Sequence, residues 1–130
     1  LGDSLKAESA FKVLEKAPID QLAAEAYYFR AHQNHKNKDY DKSNEVIALL
    51  SQKFSSQPYW AAKSLLLMAK NFQAVKDAFQ ATYILESLIV NYKQFPEISK
   101  EGETLLNQIK EKQAEQNASL SQPNVINEIQ

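Results

Sequence analysis

Ala31 and Ser43 stand 12 positions apart, and Ala69 and Ala81 repeat that spacing. An acid precedes the second member of each pair by four residues, Asp39 before Ser43 and Asp77 before Ala81. The acid-to-small element occurs once more near the start, as Asp3 and Ala7, so Ala7, Ser43 and Ala81 are 36 and 38 residues apart. An apolar pair follows each, Val13-Leu14, Leu49-Leu50 and Leu88-Ile89. Few folds satisfy this spacing. Two antiparallel helices in close contact need a small residue where their backbones approach. One such residue in each helix, with the turn between them, makes an αα-hairpin. The acid sits where it caps the second helix. The aromatic beside it, Tyr40 or Phe79, is expected to fill the space between hairpins.

The rest of the chain follows a helical period. Leu5, Ala10, Val13 and Leu14 share a face, and Pro18 is expected to end that segment. Asp20 then caps a helix through Ala23, Ala26, Tyr27 and Ala31, with Tyr27 facing in and Tyr28 out. A third helix carries Tyr40, Val46, Ile47 and Leu50. Pro58 suits the first turn of a fourth, with Ala61, Leu65, Met68, Ala69 and Phe72 on one face. Ala81, Ile84, Leu85, Leu88, Ile89 and Tyr92 line a fifth. Pro96 opens a sixth, with Ile98, Gly102, Leu105, Leu106 and Ile109. No strand signal appears, and 2 Gly and 4 Pro in 130 residues are too few for a turn-rich β-sandwich. The expected fold is all-α, about six helices in stacked antiparallel hairpins.

Composition narrows the function. Fifteen Lys and Arg against 16 Asp and Glu leave a net charge of -1, which argues against a nucleic-acid surface. No apolar run of membrane-spanning length occurs. Cysteine is absent, so disulfides, thiolate metal sites and a thiol nucleophile are excluded. His32 and His35 are three apart, where zinc helices favour four and a third ligand, so they read as polar surface histidines. No Ser/His/acid order, Gly-rich phosphate loop or His-Glu-x-x-His run appears. No catalytic residue, metal or cofactor is therefore assigned, and the chain is expected not to be an enzyme.

Ala24-Glu25-Ala26-Tyr27, Ala31 and the run Lys38-Asp39-Tyr40-Asp41-Lys42-Ser43, with Ala69, Asp77 and Ala81 further on, resemble the tetratricopeptide repeat family. The resemblance implies an α-solenoid over residues 1–118. Residues 1–17 would be the second helix of a truncated repeat, 20–57 and 58–95 two repeats, and 97–118 a closing helix, with 119–130 a tail. The pattern departs from the family at the turn, where the usual Gly is Lys38 or Lys76, and three residues after Ala31, where Asn34 replaces an aromatic. Tyr59-Trp60-Ala61-Ala62-Lys63-Ser64 and Phe79-Gln80-Ala81-Thr82 are similar to the C-terminal parts of long Bacteroidetes-type bacterial repeat proteins. That likeness implies export to the periplasm or cell envelope, with the cytoplasm as the alternative.

The first helix of each hairpin lines the concave face of such arrays. The resemblance therefore places Glu25, Tyr28, His32 and His35 in one wall of a groove and Lys63, Leu66, Lys70 and Gln73 in the next. This implies a protein-interaction scaffold that takes a protein or peptide partner on an aromatic floor and a cationic wall. The bland alternative is a row of solvated residues on a purely structural C-terminal cap, or an accessory in envelope assembly. The truncated N-terminal edge would expose apolar surface and favour a homodimer. Trp60 is expected to pack between consecutive hairpins.

Overall fold

The computed structural model describes the backbone of residues 2–129 and the side chains of residues 19–120. Five helices follow one another: α1 (Gly2–Lys36), α2 (Tyr40–Lys53), α3 (Pro58–Ala74), α4 (Ala78–Asn91) and α5 (Pro96–Ile129). The fold is all-helical, with no strand among the described residues. The count is five where about six are expected. Helix α1 runs through Pro18 and contains Asp20, because a proline removes one hydrogen bond and bends a helix without obliging it to end. Helix α5 runs past 118 into the expected tail. The side chains of the expected short helix at 1–17, and of the tail beyond 120, lie outside the described residues.

Helices α1 and α2 form one antiparallel hairpin and α3 and α4 a second, while α5 packs on α4 and α3. Helix α3 also touches α1, so α1, α3 and α5 are neighbours in one layer and α2 and α4 lie behind them. This arrangement is compatible with a helical repeat. The two hairpin turns are alike in detail. At the first, Asp39 N–H donates to Asn34 O at 2.9 Å and Lys38 N–H to His35 O at 3.0 Å. At the second, Asp77 N–H donates to Phe72 O at 2.8 Å and Lys76 N–H to Gln73 O at 3.0 Å. These are Schellman closures, and they force the penultimate turn residue left-handed, with φ 63° at Lys38 and 64° at Lys76. The acids then cap the next helices: Asp39 Oδ1 accepts from Lys42 N at 3.4 Å and Asp77 Oδ1 from Gln80 N at 3.1 Å.

Every one of these features recurs at a displacement of 38 residues. Lys38, Asp39, Phe54 and Pro58 correspond to Lys76, Asp77, Tyr92 and Pro96. The small residues do the same, Ala31 with Ala69 and Ser43 with Ala81, and all four are fully buried. Ser43 Oγ donates to Ala31 O at 2.8 Å, so the first pair of the 12-residue spacing is a direct contact between the two helices of the hairpin.

The core has two parts. Ala24, Tyr28, Ala31, Val46, Ile47, Leu50, Trp60 and Leu67 join the first hairpin to α3. Ala62, Leu66, Ala69, Ala81, Leu85, Leu88, Ile98, Leu105, Leu106 and Ile109 join the second hairpin to α5. Trp60 is buried between hairpins, against Tyr28 at 5.6 Å. Two aromatic expectations fail. Tyr28 is buried and Tyr27 only half-buried on Phe54, because the neighbouring α3 covers the face that an isolated hairpin leaves open. Phe79 does not plug the hairpins and is 78% exposed on the back of α4, one position past the inward-facing site.

A candidate partner groove across three helices

Six of the eight expected groove residues come together. Tyr28, His32 and His35 of α1 and Lys63, Leu66 and Lys70 of α3 line one cavity of about 260 Å³, with Tyr59 and Leu67 also from α3. The two others do not join it. Gln73 lines a separate hollow with Lys76, Ile109 and Lys112, and half-buried Glu25 is absent from the lining. Helix α5 supplies a third wall that the sequence reading missed, Glu97, Ile98 and Glu101. The 38-residue displacement finds it: Tyr59 maps onto Glu97 and Lys63 onto Glu101.

The floor is aromatic. Tyr28 lies 6.0 Å from His32 with the rings 25° apart, and His32 lies 6.3 Å from His35 at 27°. The spacings of four and three that put these residues on one helix face also set this ladder. Tyr40 and Trp60 continue it at either end, 5.6 Å from His35 and 5.6 Å from Tyr28. Burial holds the Tyr28 hydroxyl above its ordinary pKa, with Glu101 and Tyr59 adding to the shift, so it is a hydrogen-bond donor. Burial pushes His32 below the ordinary imidazole range, helped by Lys36, His35, Lys70 and Lys63, so it is neutral at pH 7.

The two lysines differ. Lys70 is tied across the groove to Glu101, Nζ to Oε2 at 2.7 Å. Lys63 has no ion pair among the described residues. Its ammonium lies over three rings, 5.1 Å from Tyr28, 5.4 Å from Trp60 and 5.8 Å from Tyr59. Ring faces carry negative potential and hold a cation without neutralising it. The three rings thus set where the Lys63 ammonium sits in the groove.

Behind the floor sits a buried polar bridge. Asn71 is fully buried, and its Nδ2 donates to Ser43 Oγ and to Asn44 Oδ1, each at 2.8 Å. Both amide hydrogens are used there, so Oδ1 accepts, and His35 Nδ1–H donates to it at 2.6 Å. No group of three or more metal-binding side chains occurs among the described residues, and no helix there is long and apolar enough to cross a membrane. No protein-family model, curated protein or solved structure matches the chain.

Proposed function

We propose that this chain is a protein-interaction module of the tetratricopeptide-like α-solenoid type, which holds a peptide or helix of a partner in the α1–α3–α5 groove and performs no chemistry. The placement of Lys63 carries this reading. An ammonium held by three rings, with no carboxylate on it, is ready for an acidic side chain of a partner. The stacked His32–His35 ladder offers flat ring faces beside it, and the Tyr28 hydroxyl offers a donor. The Lys70–Glu101 pair bridges α3 and α5 across the groove, and the shared core of Leu66, Ile98 and Leu105 holds these helices together.

A second reading has its own support. The outward side of α5 is polar, with Lys100, Glu103, Asn107 and Lys110 exposed, as a closing helix needs. In that reading the domain only terminates an array. Selection of a random peptide display library on the chain separates the two. A groove module enriches peptides with Asp or Glu at one fixed position, and Lys63→Glu with Lys70→Glu abolishes that enrichment. A pool with no acidic consensus, unchanged by the double variant, leaves the cap.

A further inference from the structure

Helix α4 carries an apolar crest on the side away from the core. Phe79, Tyr83, Glu86 and Val90 stand at steps of four, three and four, so at about 100° per residue they fall within about 60° of arc. The buried residues of α4, Ala81, Ile84, Leu85 and Leu88, lie opposite. Phe79 is 78% exposed, Tyr83 68% and Val90 67%. The fold does not require this. At minus 38, the same crest of α2 holds Asp41, Glu45, Ala48 and Gln52, all exposed. One hairpin thus meets water with a polar crest, while the next sets two aromatic rings and a valine in the same places. Beside the crest, Gln113 of α5 closes a hollow of about 300 Å³ with Phe79, Thr82, Tyr83 and Glu86, and Val90 stands outside it.

The spacing of the crest points to its occupant. Steps of four, three and four are the seam spacing of a coiled coil, which takes a second helix of matching spacing. The crest matches itself when reversed. Laid antiparallel on a copy, Phe79 meets the partner's Val90 and Tyr83 meets the partner's Glu86. Both pairs centre between Ile84 and Leu85, the midpoint of the helix Ala78–Asn91. A ring then lies on a β-branched side chain and a phenol donor on a carboxylate acceptor, each twice, as a closed two-fold interface requires. Glu86 Oε1 already lies 3.8 Å from Lys110 Nζ of α5, and a carboxylate accepts at several sites, so the phenol adds to that contact. A parallel pairing would set the two Glu86 carboxylates on each other, and like charges in contact are costly. The antiparallel register also brings Val90 of one copy to the hollow beside Phe79 of the other.

We propose that a second copy of this chain docks on the α4 crest, as an antiparallel helix pair built from Phe79, Tyr83, Glu86 and Val90. Large aromatic side chains bury roughly 150–250 Å² each, so the exposed parts of this crest offer about 400 Å² per copy. That is half of the roughly 800 Å² that each side of a standard interface buries, so the dimer is weak and forms only at high chain concentration. The groove is built from α1, α3 and α5, and shares no residue with the crest.

The test uses the absence of cysteine. Full-length Phe79→Cys and Val90→Cys chains are oxidised mildly, each alone and as a mixture, and run without reductant. In the antiparallel pair a thiol at position 79 meets one at position 90 but lies about 16 Å from its own counterpart, beyond disulfide reach. The expected result is a covalent species of twice the 14.8 kDa chain mass in the mixture alone, reversed by reductant. Phe79→Cys mixed with Asn107→Cys, on the exposed side of α5, stays uncoupled. Sedimentation equilibrium of the wild-type chain shows monomer and dimer in exchange. The triple variant Phe79→Asp/Tyr83→Glu/Val90→Gln carries the α2 residues of the same register and weakens the dimer about tenfold or more. Tyr83→Phe removes only the donor and weakens it about threefold. Circular dichroism follows helix content, so an unfolded variant is recognised. Cross-linking of either single variant alone or of the Asn107→Cys mixture to the same extent, a dimer unchanged in the triple variant, or a wild-type monomer at every concentration overturns the proposal. If that monomer sediments with phosphatidylglycerol vesicles and the triple variant does not, the crest docks a lipid surface and the proposal falls as well. Lys63→Glu with Lys70→Glu leaves the dimer intact, so this result and that for the groove are independent.

Discussion

Lys38 and Lys76 occupy a conformation that costs an L-residue about 1–2 kcal/mol. Both turns accept that cost because the Schellman bonds and the capping acids over-determine the geometry. Glycine has no Cβ to clash there. Lys38→Gly and Lys76→Gly should each raise stability by about 1 kcal/mol, read as a higher urea midpoint with an unchanged slope. An unchanged or lower midpoint would show that the lysine stems contribute packing of comparable size. His32 gives a pH dependence. Its pKa is depressed in the folded state, so the unfolded chain binds the extra proton first. Its contribution is fully present above the unfolded value of about 6.5 and is lost as pH falls through the lower folded value. The melting temperature should therefore drop on acidification below about pH 6.5, and His32→Gln should flatten that drop.

At the scale of elements, Asn71 joins α3 to the first hairpin through three side-chain hydrogen bonds. Asn71→Ala would leave the fully buried Ser43 hydroxyl without its donor and half-buried Asn44 and His35 short of a partner. It should cost about 2–3 kcal/mol in denaturant unfolding, whereas the exposed Asn107→Ala should cost less than about 0.5 kcal/mol. The hairpins themselves were legible in the sequence, because Ala31 and Ser43 announce a close approach by their size and Asp39 and Asp77 announce a cap. The bridge was not. Asn71 lies on a helix face where polarity reads as exposure, and only the arrival of α2 turns it inward. Tyr28 was misjudged for the same reason, since its burial comes from α3 and not from its own hairpin. Helix ends were legible where a capping acid or proline faces a turn, and not at Pro18, where one lost bond stands against a long helical ladder. Six groove residues fell on one cavity because each helix presents the same positions, while Glu97 and Glu101 needed the full 38-residue register to be found.

The whole molecule is organised by neighbour contacts. The second hairpin is packed on both sides, by the first hairpin and by α5, while among the described residues of α1 Leu22 and Phe29 are exposed. Charge follows the same division, with a solvated α5 at one end and an apolar seam at the other.

The 38-residue displacement also bears on how the chain folds. Among the described residues the longest side-chain hydrogen bond in sequence, His35 to Asn71, closes a separation of 36 residues, less than one displacement. Among the described residues no side-chain hydrogen bond has to wait for distant parts of the chain to meet. Chains built of such short closures fold on the microsecond-to-millisecond scale, and a nucleus can form in any hairpin and spread to the next. Helix α3, in contact with α1, α2, α4 and α5, should be the last to exchange its amide hydrogens.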